Sequence, residues 1–141
     1  MPTVLQSEEE FVLTPSEVER LWQEVRKACE YPDDEVAVRC VSEEEIKKLN
    51  TKYRKKNHAT NILTFTYDEQ HDIALCLSVA EEESREQEVA LRDYVALLLV
   101  HAFLHATGMD HERSEEEAEN TEDLETTILS KSGFSAISLS A

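Results

Sequence analysis

Apolar residues recur along this chain with two different periods, and the switches between them divide it into elements. Thr14-Pro15-Ser16-Glu17 has the form of a helix start, with Thr14 as N-cap, Pro15 at the first helical position and Glu17 closing a capping box. Val18, Leu21, Trp22, Val25 and Ala28 follow at helical spacing, which predicts an amphipathic helix over roughly 15–30. Tyr31-Pro32-Asp33-Asp34 reads as a turn. Val36, Val38 and Cys40 then alternate with Ala37, Arg39 and Val41 as in a short strand. Ser42-Glu43-Glu44-Glu45 repeats the capping pattern ahead of a second helix carrying Ile46, Leu49 and Tyr53. Residues 61–66 and 72–78, rich in Ile, Leu, Thr and Phe, are predicted to pair as a hairpin across a polar connection, 67–71. A long helical zone follows, acidic over 81–88 and apolar over 89–104, and a closing helix spans about 114–131 with Gly133 placed to end it. Helices and strands mix without strict alternation, so the expected class is α+β. With no repeat and no low-complexity linker, 1–141 is expected to form a single domain.

Composition narrows the setting. No apolar run approaches the roughly 18 residues of a membrane span; the longest, 95–100, suits a helix core. The first eight residues show neither a basic region nor an apolar signal core. Cys29, Cys40 and Cys76 are odd in number and widely spaced, which argues for a reducing compartment. The expected location is the cytoplasm. Thirty-one Asp plus Glu against fourteen Lys plus Arg give a net charge of −17, which by itself argues against nucleic acid.

Two local features revise that picture. In the segment His101-Ala102-Phe103-Leu104-His105-Ala106-Thr107-Gly108-Met109-Asp110-His111, three of the five histidines fall within eleven residues. His101 and His105 share a helix face with about 6 Å of rise between them. Gly108 can stop the helix and turn the chain, so that His111 returns to the same point. Three imidazoles with an open position are the arrangement of catalytic zinc. The helix is apolar nearly all round and is expected to be buried, and buried imidazoles need partners. Helical zinc proteases carry glutamate directly after the first histidine, and here that position is Ala102. The second feature is Lys47, Lys48, Lys52, Arg54, Lys55 and Lys56, six of the fourteen cations within ten residues. Such a run is commonly a solvated helix face. Beside a metal site it also suits a phosphodiester substrate, whose charge metal and arginine both stabilise. The acidic stretches 81–88 and 112–125 read as solvated helix faces.

The segment 101–111 resembles the H-x3-H-x5-H signature of the YbeY family, metal-dependent endoribonucleases of ribosomal RNA maturation. Leu49-Asn50-Thr51-Lys52-Tyr53-Arg54, Thr60-Asn61-Ile62-Leu63-Thr64-Phe65 and Asp72-Ile73-Ala74-Leu75-Cys76 are similar to three further family segments in the same order. Departures are Ala102 and His71 where the family has glycine, and Met109 where it has an aromatic residue.

This resemblance implies a four-stranded mixed sheet, its first strand near Thr3 and Gln6, packed with about five helices and with the metal cleft at the long buried helix. It implies one zinc ion per chain on His101, His105 and His111, with Arg54 as the functional arginine. Lys52, Arg54, Lys55 and Lys56 become RNA-binding candidates. Asp110, Asp72 and His71 become candidates for hydrogen-bonding a ligand from behind or lining the cleft, with turn capping an equal alternative for Asp110. The implied substrate is single-stranded RNA rather than DNA, notably the 3′ end of small-subunit (16S) ribosomal RNA, with a link to ribosome quality control and with ribosomal proteins or assembly factors as partners. Two other readings stay open. One is a non-enzymatic ribosome-assembly module with a structural zinc, closed by a fourth ligand such as Asp72 or Asp110. The other is a zinc hydrolase acting on peptides or small molecules.

Overall fold

The structure, a computed structural model, describes residues 3–6, 12–67, 70–108 and 115–135. Among them the chain runs β1 (Thr3–Gln6), α1 (Pro15–Cys29), β2 (Glu35–Cys40), α2 (Glu43–Arg54), β3 (Ile62–Tyr67), β4 (Gln70–Leu75), α3 (Leu77–Glu86), α4 (Leu91–Ala106) and α5 (Glu115–Lys131). The class is α+β. The strands lie in the order β1-β2-β4-β3. β1 and β4 pair parallel to β2, and β3 pairs antiparallel to β4, leaving β3 at an edge.

The local chemistry of the helix ends follows the sequence. Thr14 accepts from the Glu17 N–H while the Glu17 carboxylate accepts from the Thr14 N–H, a full capping box. Ser42 caps α2 through the Glu45 N–H, but Glu45 turns its carboxylate to Arg39 at 2.8 Å. Gly133, at φ 86°, ends α5 as expected.

Strand alternation sorts the sheet residues into two cores. Val36, Val38, Ile73 and Leu75 pack with α1, α4 and α5 in the main core, around Trp22, Phe103 and Leu129. Leu63 and Ala74 face the other way and meet Ile46 of α2 in a smaller cluster. α4 is buried on nearly every side from Tyr94 to Leu104, as its unbroken apolar character requires.

Two expectations need correction. The helical zone over 81–104 is two helices, α3 and α4, turned by 115° at the break. Neither glycine nor proline marks it. Glu88 takes the left-handed conformation at φ 56°, the Val89 N–H reaches the Ser84 carbonyl at 3.0 Å and the Glu88 N–H reaches that of Arg85 at 3.2 Å. This is a Schellman ending built without glycine. The hairpin connection is also tighter than 67–71: Tyr67 and Gln70 are already paired, and His71 lies within β4. Leu77 and Ser78, assigned to the second strand of that hairpin, instead open α3. Among the described residues, no single helix is long and apolar enough to cross a membrane.

Candidate active site

The C-terminal end of α4 carries the histidine pair, His105 in its last turn and His101 one turn earlier. Because positions four apart share a helix face, the His101 and His105 rings lie side by side, with centroids 4.6 Å apart. His101 is partly buried and His105 exposed. Behind His101, Oε2 of Glu125 on α5 accepts from Nδ1 at 2.6 Å, and Glu125 is only 3% exposed. A carboxylate bound to one imidazole nitrogen fixes the ring and its tautomer, the arrangement that presents the other nitrogen to a metal. Sequence reasoning missed Glu125 by grouping it with the solvated acidic residues of 112–125. The available signal was its place in the helical row with Ile128 and Leu129, which are buried on the same face.

Arg54 ends α2 and reaches across the edge strand. Its guanidinium donates to the Thr64 carbonyl at 2.7 Å and lies 5.4 Å from the centre of the Phe65 ring. A cleft of about 520 Å³ opens between β3 and α4, and its walls bring together Arg54, Thr64, Thr66, His101, Ala102 and His105. The motif residues around Arg54 hold this wall in place. Buried Asn50 donates to the His58 carbonyl at 2.9 Å, fixing the loop that leaves α2. Asn61 donates to Glu83 at 2.9 Å, and Tyr94 of α4 donates to the same carboxylate at 3.0 Å. Glu83 therefore ties the start of β3 to α4 and is not a solvated member of 81–88.

The remaining candidates are distributed differently. Lys52 lies with its Nζ 5.1 Å from the Tyr53 ring centre, Lys55 holds the left-handed C-cap of α2, and Lys56 is exposed beside it. Of the basic segment, Arg54 is the side chain that lines the cleft. His71 is not on the rim: it is fully buried, with Nε2 donating to Asp34 at 3.1 Å and Nδ1 3.0 Å from the Thr66 hydroxyl. It stands behind the cleft wall and contacts it through Thr66. Asp72 is not at the histidines either. As the next residue along β4 it points to the opposite sheet face, where it accepts from Gln70 at 3.1 Å. Asp110 and His111 lie outside the described residues.

The donor chemistry fits zinc. Two imidazoles at i and i+4, one braced by a buried carboxylate, match a helix-borne zinc half-site, and His111 would complete three nitrogens. Among the described residues no group of three or more His, Cys, Asp or Glu is placed to hold a metal; His101 and His105 are the two of the three expected ligands that the structure describes.

Fold and cleft together define a class: a small α+β protein whose buried helix ends in a histidine pair facing an arginine beside an edge strand. The family model described as Endoribonuclease YbeY matches residues 5–133, and the chain belongs to that family. Endoribonuclease YbeY of Delftia acidovorans (strain DSM 14801 / SPH-1) is 48% identical over 106 residues, 72% of this chain and 70% of that protein. The protein of the same name from Paracidovorax citrulli (strain AAC00-1) matches with the same identity and coverage. The solution structure of TM1509 from Thermotoga maritima is similar with a TM-score of 0.63 at 25% identity, over 92% of this chain and 90% of that one.

Proposed function

We propose that this chain, as one domain over 1–141, is a zinc-dependent endoribonuclease that cuts single-stranded RNA in the cytoplasm. Its substrate is chiefly small-subunit ribosomal RNA, in 3′-end maturation and ribosome quality control. The observation that carries this reading is the convergence of Arg54 with the His101–His105 pair on one cleft. The family membership supports the same reaction class.

His101, His105 and His111 would hold one zinc ion, which when bound supplies Lewis acidity at the scissile phosphate. Glu125 accepts a hydrogen bond from the Nδ1–H of His101 and keeps that imidazole in one tautomer and one orientation. Arg54 has five N–H donors; the one given to Thr64 fixes the guanidinium plane, and the rest are available to phosphoryl oxygens. Held by a carbonyl and a ring, the guanidinium is positioned before substrate arrives, which is what stabilisation of developing charge requires. Ala102 offers no carboxylate beside His101, so hydrolysis in the manner of helical zinc peptidases lacks its base. A structural zinc would need a fourth protein ligand, and Asp72, one of the two candidates for it, faces the other side of the sheet.

The test is incubation of the purified, zinc-loaded protein with single-stranded and duplex RNA, with and without a chelator. Cleavage confined to the single strand and lost with the chelator is the expected result. No chelator-sensitive cut would overturn the reading in favour of an assembly module, and cleavage of peptides instead would point to a zinc peptidase.

A further inference from the structure

The face of the sheet that carries α2 holds a second hollow, of about 320 Å³, which the histidine cleft does not use. Arg39, Tyr53, Phe65, Tyr67, Gln70 and Asp72 are among its walls. Tyr53 and Tyr67 are 46% and 54% exposed, and among the described residues they are the large hydrophobic side chains left uncovered. Tyr53 meets Phe65 edge to face at 5.1 Å, so the aromatic wall is braced. Cations stand at its rim: Lys52 lies over Tyr53, and Arg54 lies over Phe65. Arg39 is already paired with Glu45.

We propose that this hollow is a subsite for an unpaired nucleobase of the same RNA strand that enters the histidine cleft. The base stacks on Tyr67 and Tyr53, Asp72 accepts from its amino or imino hydrogens, and Lys52 and Arg54 hold the flanking phosphates. This assignment rests on the endoribonuclease reading and extends it to how the strand is held.

Three observations select that ligand. The first is charge: Lys52 and Arg54, which lie over two of its aromatic rings, belong to a segment, 47–56, with six cations and no carboxylate in a chain of net charge −17, so a polyanion is attracted to this side of the hollow. The second is the floor. A ligand that is only phosphate has no use for exposed aromatics, and an acidic peptide would meet the Asp72 carboxylate. A base offers a π-face to the tyrosines and hydrogen-bond donors to Asp72. The third is continuity. Only β3 separates the hollow from the cleft, and Arg54 touches both sides, lining the cleft while stacking on Phe65. A single strand bent around that edge occupies both sites; a rigid duplex does not, which gives the single-strand preference a structural cause.

The test measures binding of the full-length protein, with cleavage suppressed by chelator, to a labelled single-stranded oligonucleotide and to an abasic strand of equal length and charge. Wild type is expected to favour the base-bearing strand by roughly tenfold, the scale of one stacked base. Tyr67→Ala should lose that preference and Tyr67→Trp should keep it, since a larger ring still stacks; Tyr53→Ala serves as the second probe. Chelator-sensitive cleavage of an oligonucleotide short enough to occupy the cleft alone should be the same in Tyr67→Ala and wild type. Equal binding of the two strands by wild type, or an unchanged preference in both alanine variants, would overturn the subsite. If wild type cuts RNA and the preference is absent, the subsite alone fails. If wild type neither binds nor cuts RNA, the endoribonuclease reading fails with it.

Discussion

Glu125 is buried on α5, and a carboxylate so placed must meet a proton donor or lose its hydration uncompensated; His101 is that donor. Its proposed part in zinc binding is separable from its effect on packing. Glu125→Gln keeps an oxygen that can accept from Nδ1 but removes the charge, and should weaken zinc binding by about 10- to 100-fold, read by competition with a chromophoric chelator. An unchanged affinity would reduce Glu125 to a packing role. Arg54 supplies a different test, because it reaches the cleft from another element and is not a ligand. Arg54→Ala should retain full zinc content while losing about 10²- to 10³-fold in cleavage rate, the scale of one removed charge-stabilising donor. His105→Ala should lose the metal itself. Full cleavage by Arg54→Ala would remove its assigned role.

At the scale of elements, the site depends on where α4 starts and what holds it. The α3–α4 corner at Glu88 sets the direction of α4, and the Glu17–Arg92 ion pair fastens the start of α4 to the start of α1. The Arg92 guanidinium, together with the Thr14 N–H, holds the Glu17 carboxyl at about 2, below its ordinary 4.5. A depressed carboxyl pKa stabilises the fold above the unfolded value, and the contribution disappears as pH falls through the folded one. Wild type should therefore be more stable than Glu17→Gln near neutrality, with the difference shrinking between about pH 4.5 and about pH 2. Denaturant titrations of both proteins across that range check it, and a difference that persists at the acid end would exclude the ion pair as its source. Such corners are hard to read in advance. Thr14, Ser42 and Gly133 announce their helix ends by residue type, whereas Glu88 adopts a left-handed cap that glutamate does not advertise.

For the whole molecule, the −17 governs how RNA is held. Acid is spread over α3 and α5 while segment 47–56 is locally basic. With Lys52, Arg54, Lys55 and Lys56 each neutralising one phosphate, the logarithm of affinity for an unstructured strand should fall with log salt at a slope of about −3. Titrations at several salt concentrations measure it, and tight, salt-independent binding would contradict an interface made by these four cations. A net charge of −17 opposes non-specific capture of RNA, which is why the proposed function includes a ribosomal partner that delivers the strand. What the chain determined by itself is whatever depends on near neighbours. Helix starts, the burial of α4, the His101–His105 spacing and the basic run that contains Arg54 are all consequences of period and residue type over a few positions. What only the tertiary structure decided is which of these meet. Glu125, 24 residues from His101, became its partner because α5 crosses α4 at that turn. His71 and Asp72 went to opposite faces because adjacent strand residues must, and only the packed sheet says which face looks toward α4. Arg54 joined the histidines because β3 is an edge strand, open to an arm reaching around it. Local patterns encode periodicity, and a site needs side chains brought together from distant elements, which is settled by how those elements pack.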